Sequence, residues 1–165
     1  MSSEKVSQFR LVKSMREGKE AERLFSTALI SKGITVQKTP ISIDRYDHID
    51  FWIGNNKDGV DVKTMKSRDE IWLELMNTGG NKGWMLGKAR YIALYFKDIK
   101  QFEMFYRKDL LRYIDDNVLP EVTTNNKEYH KLYTRSHWGK KDMVFKTTYK
   151  NIIDLKHYKL VPKFV

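Results

Sequence analysis

Residues 48–66 read H-I-D-F-W-I-G-N-N-K-D-G-V-D-V-K-T-M-K. The middle of this stretch, from Gly54 to Gly59, is dense in turn formers. Its flanks, Ile49 to Ile53 and Val60 to Thr64, are mostly β-branched or aromatic, which is the pattern of a β-hairpin. With Ile53 facing Val60 across the turn, Phe51 faces Val62 and Asp50 faces Lys63. Because strand side chains alternate between faces, Ile49, Phe51, Ile53, Val60 and Val62 then share an apolar face. Asp50, Trp52, Asp61 and Lys63 gather on the other. A register slip of two residues keeps this grouping, whereas a slip of one destroys it.

Two carboxylates and an ammonium on one strand face suit the hydrolysis of phosphodiesters. That reaction needs neutralised non-bridging oxygens, hydroxide near neutral pH and a stabilised leaving alkoxide, and a hard divalent ion held by carboxylates serves all three. Mg²⁺ keeps several waters, so Asp50, Asp61 and the carbonyl of Val62 suffice as expected ligands. Lys63 is placed to orient or deprotonate the attacking water, or to balance charge at phosphorus. Read alone, Asp61-Val62-Lys63 is better taken as an exposed ion pair on a solvated strand; Asp50 on the partner strand and an acid on the helix upstream shift that balance. Upstream, the segment from Gly18 carries Ala21, Leu24, Phe25, Ala28 and Leu29 on one helical stripe ended by Lys32-Gly33. Glu22 lies at the edge of that stripe, either pointing along the sheet toward the acids or standing as an ordinary surface glutamate.

The order Gly18-x-x-x-Glu22, then Asp50, then Asp61-Val62-Lys63 resembles the PD-(D/E)XK nuclease superfamily, especially its small phage-borne and Holliday-junction-resolvase-like members. The resemblance covers residues 16–96 and implies an α/β fold with a restriction-endonuclease-like core in the order α-β-β-β-α-β, a mixed sheet flanked by helices. It further implies a nuclease acting on DNA with Mg²⁺ or Mn²⁺. Asp50 and Asp61 then bind metal, Lys63 assists the water and Glu22 completes the catalytic set. Ile49 stands where the family name puts proline, and Asp61 replaces the commoner glutamate. Proline contributes no ligand and aspartate keeps the carboxylate, although its shorter arm draws the ion nearer the strand.

The chain has 165 residues, enough for one domain with a substantial core, here a nuclease core over residues 16–96 and a basic extension over 97–165. Its 31 Lys and Arg against 21 Asp and Glu leave a formal charge of +10, which favours a polyanionic partner. No apolar run approaches the ~20 residues that span a bilayer, so nucleic acid is preferred over a membrane. Without cysteine there are no disulfides or thiolate metal sites, and no secretory leader is legible at the start. A cytoplasmic setting, in a host cell or for a phage-encoded protein, is the expectation.

Around this centre, residues 2–15 form an arm leading into the Glu22 helix, to pack on the core or to help make a homodimer. Residues 34–38 read as a first strand and 41–46 as a connecting loop or edge strand. Lys66 and Arg68 lie close to the expected metal and suit phosphates, or else mark a solvated strand exit. Ile71 to Met76 is a further strand with Trp72, Glu74 and Met76 on one face, where Glu74 is either a fourth acid or an ordinary paired carboxylate. The glycine-rich run from Asn77 to Trp84 has no Walker-type phosphate cradle, so a nucleotide cofactor is not expected. It is a flexible connector or a loop over the cleft, with Lys82 meeting phosphate and Trp84 packing beneath or stacking on a base. Lys88 adds another expected phosphate contact.

Strands are expected over 91–96, 101–106 and 143–149, a helix over 108–117 and a short helix over 150–155. Residues 130–141 interleave basic and aromatic side chains, among them Tyr133, Arg135, His137, Trp138 and Lys140, as suits single strands or junctions, though an ordinary surface loop has similar composition. Two alternatives accompany the deoxyribonuclease reading. One is a Holliday-junction resolvase or other structure-selective nuclease, which needs a dimer to cut two strands. The other is a non-catalytic nucleic-acid-binding protein on a nuclease-like scaffold.

Overall fold

A computed structural model describes residues 3–135 and 141–162. The expected basic-aromatic residues His137, Trp138 and Lys140 lie outside them. The chain begins with α1 (Ser3–Ile30), a single 28-residue helix. Its second half buries Ala21, Leu24, Phe25, Ala28 and Leu29 at helical spacing. In its first half Phe9, Leu11, Val12 and Met15 are each more than half exposed. Gly33, at φ +75°, ends the helix, with Gly33 N–H donating to Ile30 O and Ile34 N–H to Leu29 O.

The main sheet has six strands in the order β1-β2-β3-β5-β6-β10. These are β1 (Val36–Lys38), β2 (Phe51–Ile53), β3 (Asp58–Met65), β5 (Tyr91–Phe96), β6 (Gln101–Tyr106) and β10 (Lys156–Leu160). All neighbours run antiparallel except β3 and β5, which are parallel. A second, four-stranded sheet has the order β4-β9-β8-β7, from β4 (Ile71–Met76), β9 (Met143–Thr147), β8 (Leu132–Tyr133) and β7 (Val122–Thr123). The residues after 97 thus supply strands to both sheets, and the tail is a sixth strand of the main sheet rather than a basic appendage.

Each face of the main sheet has its own core. On one, Phe25 and Leu29 of α1 meet Phe51, Val60, Val62, Ala93, Phe102 and Leu160. On the other, Ile92, Leu94, Phe96 and Phe105 meet Leu73 and Phe145 of the second sheet and Leu110 and Ile114 of α3 (Arg107–Asn117). Covered on both sides, all six residues of β5 are buried, as an apolar run without alternation requires.

The expected hairpin is present, but its register is shifted by two. Phe51 pairs with Val60, Trp52 with Gly59 and Ile53 with Asp58. The turn is Gly54 to Lys57, closed by Lys57 N–H on Gly54 O, with both end residues at positive φ, so β3 begins at Asp58 rather than Val60. The shift keeps the carboxylates together, as a two-residue slip must. Ile49 departs from the expected apolar face and sits in the opposite core. It lies before the strand, where the left-handed turn at His48 (φ +53°) redirects the chain, and its side chain fills the space a Cβ at Gly59 would need.

Residues 41–46 are neither loop nor strand. They belong to α2 (Ile41–Asp47), whose N-cap is Pro40, and Ile43 and Asp44 N–H both donate to the Pro40 carbonyl. Between β3 and its parallel partner β5, the α-β-β-β-α-β order calls for a helix. The chain instead runs out to β4 in the second sheet and returns through one 3₁₀ turn, Trp84–Leu86. The architecture is α/β with two mixed sheets and four α-helices among the described residues.

Candidate active site

The site forms where β2 ends before β3 does. Pairing between them stops at Phe51 and Val60, so the β2 side of β3 is open from Asp61 onward. Asp50, the residue just before β2, closes the gap. Its N–H donates to Val60 O at 2.8 Å, and its Oδ2 accepts from Val62 N–H at 2.7 Å. The amide and carbonyl of one strand residue leave on the same side, so the Val62 carbonyl faces this gap as well. Thr39 holds Asp50 from behind: its amide donates to Asp50 O at 3.1 Å, and its hydroxyl bonds the Ile49 and Asp50 carbonyls.

Asp61 is 1% exposed. Its Oδ1 accepts from Lys63 Nζ at 2.5 Å, while Oδ2 is buried with no hydrogen-bond partner among the described residues. Burial pushes the Asp61 carboxyl up to about 8; the Lys63 charge opposes the shift, and the charge of the nearby Asp50 carboxylate adds to it. Burial works against the Lys63 ammonium too, but Asp61 and Asp50 outweigh it and hold its pKa above the ordinary lysine value. The expected Asp50, Asp61 and Lys63 are thus brought together; Asp50 and Lys63 line a cavity of about 940 Å³, and Asp61 is buried beside them.

Glu22 reaches the same cavity from α1, and there it meets a residue the sequence did not flag. Lys38, on β1, puts its ammonium 2.6 Å from Glu22 Oε2, 3.7 Å from Asp44 Oδ2 and 3.8 Å from Asp50 Oδ1. Burial lowers the Lys38 pKa, but the Glu22 hydrogen bond and the three negative charges win and raise it. Asp44, from α2, is itself pushed up, by burial first and then by the Asp50 charge. Proline followed by Ile-Ser-Ile-Asp was the signal for α2 and so for Asp44, since proline favours a helix start. Lys38 carried no local signal, because only the antiparallel pairing of β1 with β2, Lys38 opposite Phe51, sets it beside Asp50.

Glu74 lines the cavity from β4, its pKa raised by burial against the pull of Lys63. The Asn77–Trp84 loop is a hydrogen-bonded turn tied back to β4. The Asn77 carboxamide oxygen accepts from Gly79 and Asn81 N–H, and Gly83 N–H donates to Leu75 O. A Cβ on Gly83 would stand 2.5 Å from the Glu74 carbonyl, so only glycine allows this approach. Trp84 packs beneath, 7% exposed, with Lys63 Nζ 5.8 Å from its ring. Lys82 is exposed, and its carbonyl accepts from the His48 ring at 3.2 Å.

Of the expected phosphate contacts, Lys66 lines the cavity. Arg68 pairs with Asp98 at 3.4 Å and Lys88 with Asp47 at 2.9 Å, and neither these two nor Lys82 lines the cavity. Arg10, Lys97 and Arg135 do, and sequence reading had not placed them there.

Among the described residues, no three His, Asp or Glu side chains form a ready metal cage. The donor set nonetheless fits a hard cation that retains its waters. Asp61 Oδ2 is an orphaned buried oxygen beside a second carboxylate, and an ammonium already stands among Glu22, Asp44 and Asp50 where positive charge is needed. Among the described residues, no helix is long and apolar enough to cross a membrane. Neither a family model, nor a curated protein, nor a solved structure matches this chain.

Proposed function

We propose that the chain is a divalent-metal-dependent nuclease that hydrolyses DNA phosphodiester bonds, with a site of the PD-(D/E)XK kind. The observation that carries this reading is the buried Asp61 carboxylate, which has one oxygen on Lys63, the other without a hydrogen-bond partner among the described residues, and Asp50 alongside. Burial raises the pKa of the Asp61 carboxyl even with Lys63 beside it, so a further positive charge at this pair would be favourable. The β1-β2-β3 meander with β5 parallel to β3 supports the same reading, as does the net charge of +10.

Asp50, Asp61 and the Val62 carbonyl would hold Mg²⁺ or Mn²⁺, with Glu22 completing the set. Such an ion supplies charge for a phosphate oxygen and a more acidic water. Lys63 stays protonated near neutral pH because its pKa is raised, so it donates to the attacking water or to a non-bridging oxygen rather than acting as a base. Asp61 fixes its ammonium, and the Trp84 ring bounds the space in which it can move. Lys66, exposed at the cavity rim, meets the phosphates on either side.

The test is plasmid incubated with the protein in Mg²⁺ or Mn²⁺ against EDTA, alongside Asp61→Asn and Lys63→Met. Nicking or linearisation should require the metal, and each variant should lose about 100-fold or more. DNA binding with no cutting in either metal, on linear, circular and four-way-junction substrates, overturns the reading. A resolvase form needs a homodimer, which sedimentation equilibrium measures directly.

A further inference from the structure

The cavity is lined by α1 residues, among them Arg10 and Glu22, and also by one face of the second sheet. Alternation sends Ile71 and Leu73 of β4 and Phe145 of β9 into the core, leaving Trp72 and Val144 on the cavity side, with Tyr133 of β8 beside them. The register sets Trp72 opposite Lys146 and both Glu74 and Tyr133 opposite Val144, so the side chains lie side by side on neighbouring strands. The Trp72 and Tyr133 rings are 5.6 Å apart at 63°.

Trp72 is braced by its cross-strand neighbour on the same face. Lys146 is 4% exposed, and its ammonium lies 4.9 Å from the Trp72 ring and 4.5 Å from the Tyr129 ring. It donates to Asn126 O at 2.7 Å and lies 3.2 Å from Glu70, so its charge is spent inside the protein and serves to hold Trp72. Arg135, at the rim, is held by Asp142, which is itself 3% exposed, at 2.9 Å. Two partly exposed aromatic rings thus line the same cavity as Asp50 and Lys63, and neither contributes to the chemistry of the acid pair.

We propose that this face of the second sheet is a base-stacking platform. It receives the unpaired base next to the scissile phosphate, so the preferred substrate is single-stranded or locally unpaired nucleic acid. The inference rests on the phosphodiesterase reading of the same cavity. In a duplex, each base shows only its edge in a groove, and its flat face is covered by its neighbours. Flat aromatic rings can therefore be used only by a base that has left the stack. A cavity of about 940 Å³ is within the range that holds ligands of nucleotide size.

The experiment measures binding of a fluorescein-labelled 20-nucleotide single strand and of the same sequence as a duplex, in EDTA, by anisotropy. Wild type, Trp72→Ala, Tyr133→Ala and Trp72→Phe are compared after thermal melts, with Tyr133→Ala carrying the test should Trp72→Ala fail to fold. Each alanine variant should bind the single strand about tenfold more weakly and the duplex less than about twofold more weakly, and Trp72→Phe should keep most of the affinity.

Equal losses on both substrates, or no loss on the single strand, overturn the platform, and the former outcome points to a duplex-backbone surface. The two readings fail separately. Cleavage abolished by Asp61→Asn with single-strand binding untouched by the ring variants removes the platform and keeps the nuclease. The reverse result keeps the platform, on a protein that binds without cutting.

Discussion

At the scale of single residues, Asp61 makes the proposed metal site pH-dependent. Its carboxyl, pushed up to about 8 by burial, carries a proton at pH 7 that a bound cation must expel. Divalent affinity should therefore climb by up to about tenfold per unit between pH 6 and 8 and level off above. Calorimetry in two buffers of different protonation heat should show proton release near pH 7 and none at pH 9. The sign for stability follows from the same shift. The folded carboxyl holds its proton more tightly than the unfolded one, so metal-free stability falls as pH rises from about 4 to 8 and is flat beyond. A pH-independent affinity would mean that another group binds the ion.

Lys38 competes for the same carboxylates, its ammonium lying within 4 Å of Glu22, Asp44 and Asp50. Lys38→Met should tighten Mn²⁺ binding by about threefold to tenfold, given that partly exposed ion pairs contribute about 0.2–1 kcal/mol each. The same change should lower the metal-free melting temperature. Unchanged or weaker binding in a Mn²⁺ titration would show that Lys38 supports the ligands instead of opposing the ion.

Among the elements, α1 divides into a half that holds the sheet and a half whose Phe9, Leu11, Val12 and Met15 are exposed. Phe25 is fully buried, 5.4 Å from Phe102 and 6.0 Å from Phe51. Phe25→Ala should cost about 3–5 kcal/mol in urea unfolding, while Phe9→Ala, at 72% exposure, should stay within about 0.5 kcal/mol. Similar costs at the two positions would place the N-terminal half of α1 in an interface. The hairpin shows what pattern can and cannot specify. Alternation decided which residues share a face, but the choice between registers two apart fell to the four-residue turn and its two positive-φ ends.

For the molecule as a whole, the positive charge is the broadest feature and the least specific. If DNA is the partner, affinity for a 20-nucleotide single strand should fall about 50-fold between 50 and 200 mM salt, as roughly four neutralised phosphates require. A loss below about threefold would leave the charge without that role. The two sheets give the charge a direction, since Lys66, Lys97 and Arg135 line a cavity floored by acids.

Much of this protein could be read along the chain. The α1 stripe, the hairpin, the apolar β5 and the company of Asp50, Asp61 and Lys63 all follow from periodicity, because each depends on neighbours a few residues apart. The second sheet, the place of Lys38 and Asp44, and the braced Trp72 platform could not be read that way. They depend on contacts between residues distant in sequence, such as Trp72 with Lys146 or Lys38 with Asp50. No local period encodes such pairings; the burial of both sheet faces at once brings them about.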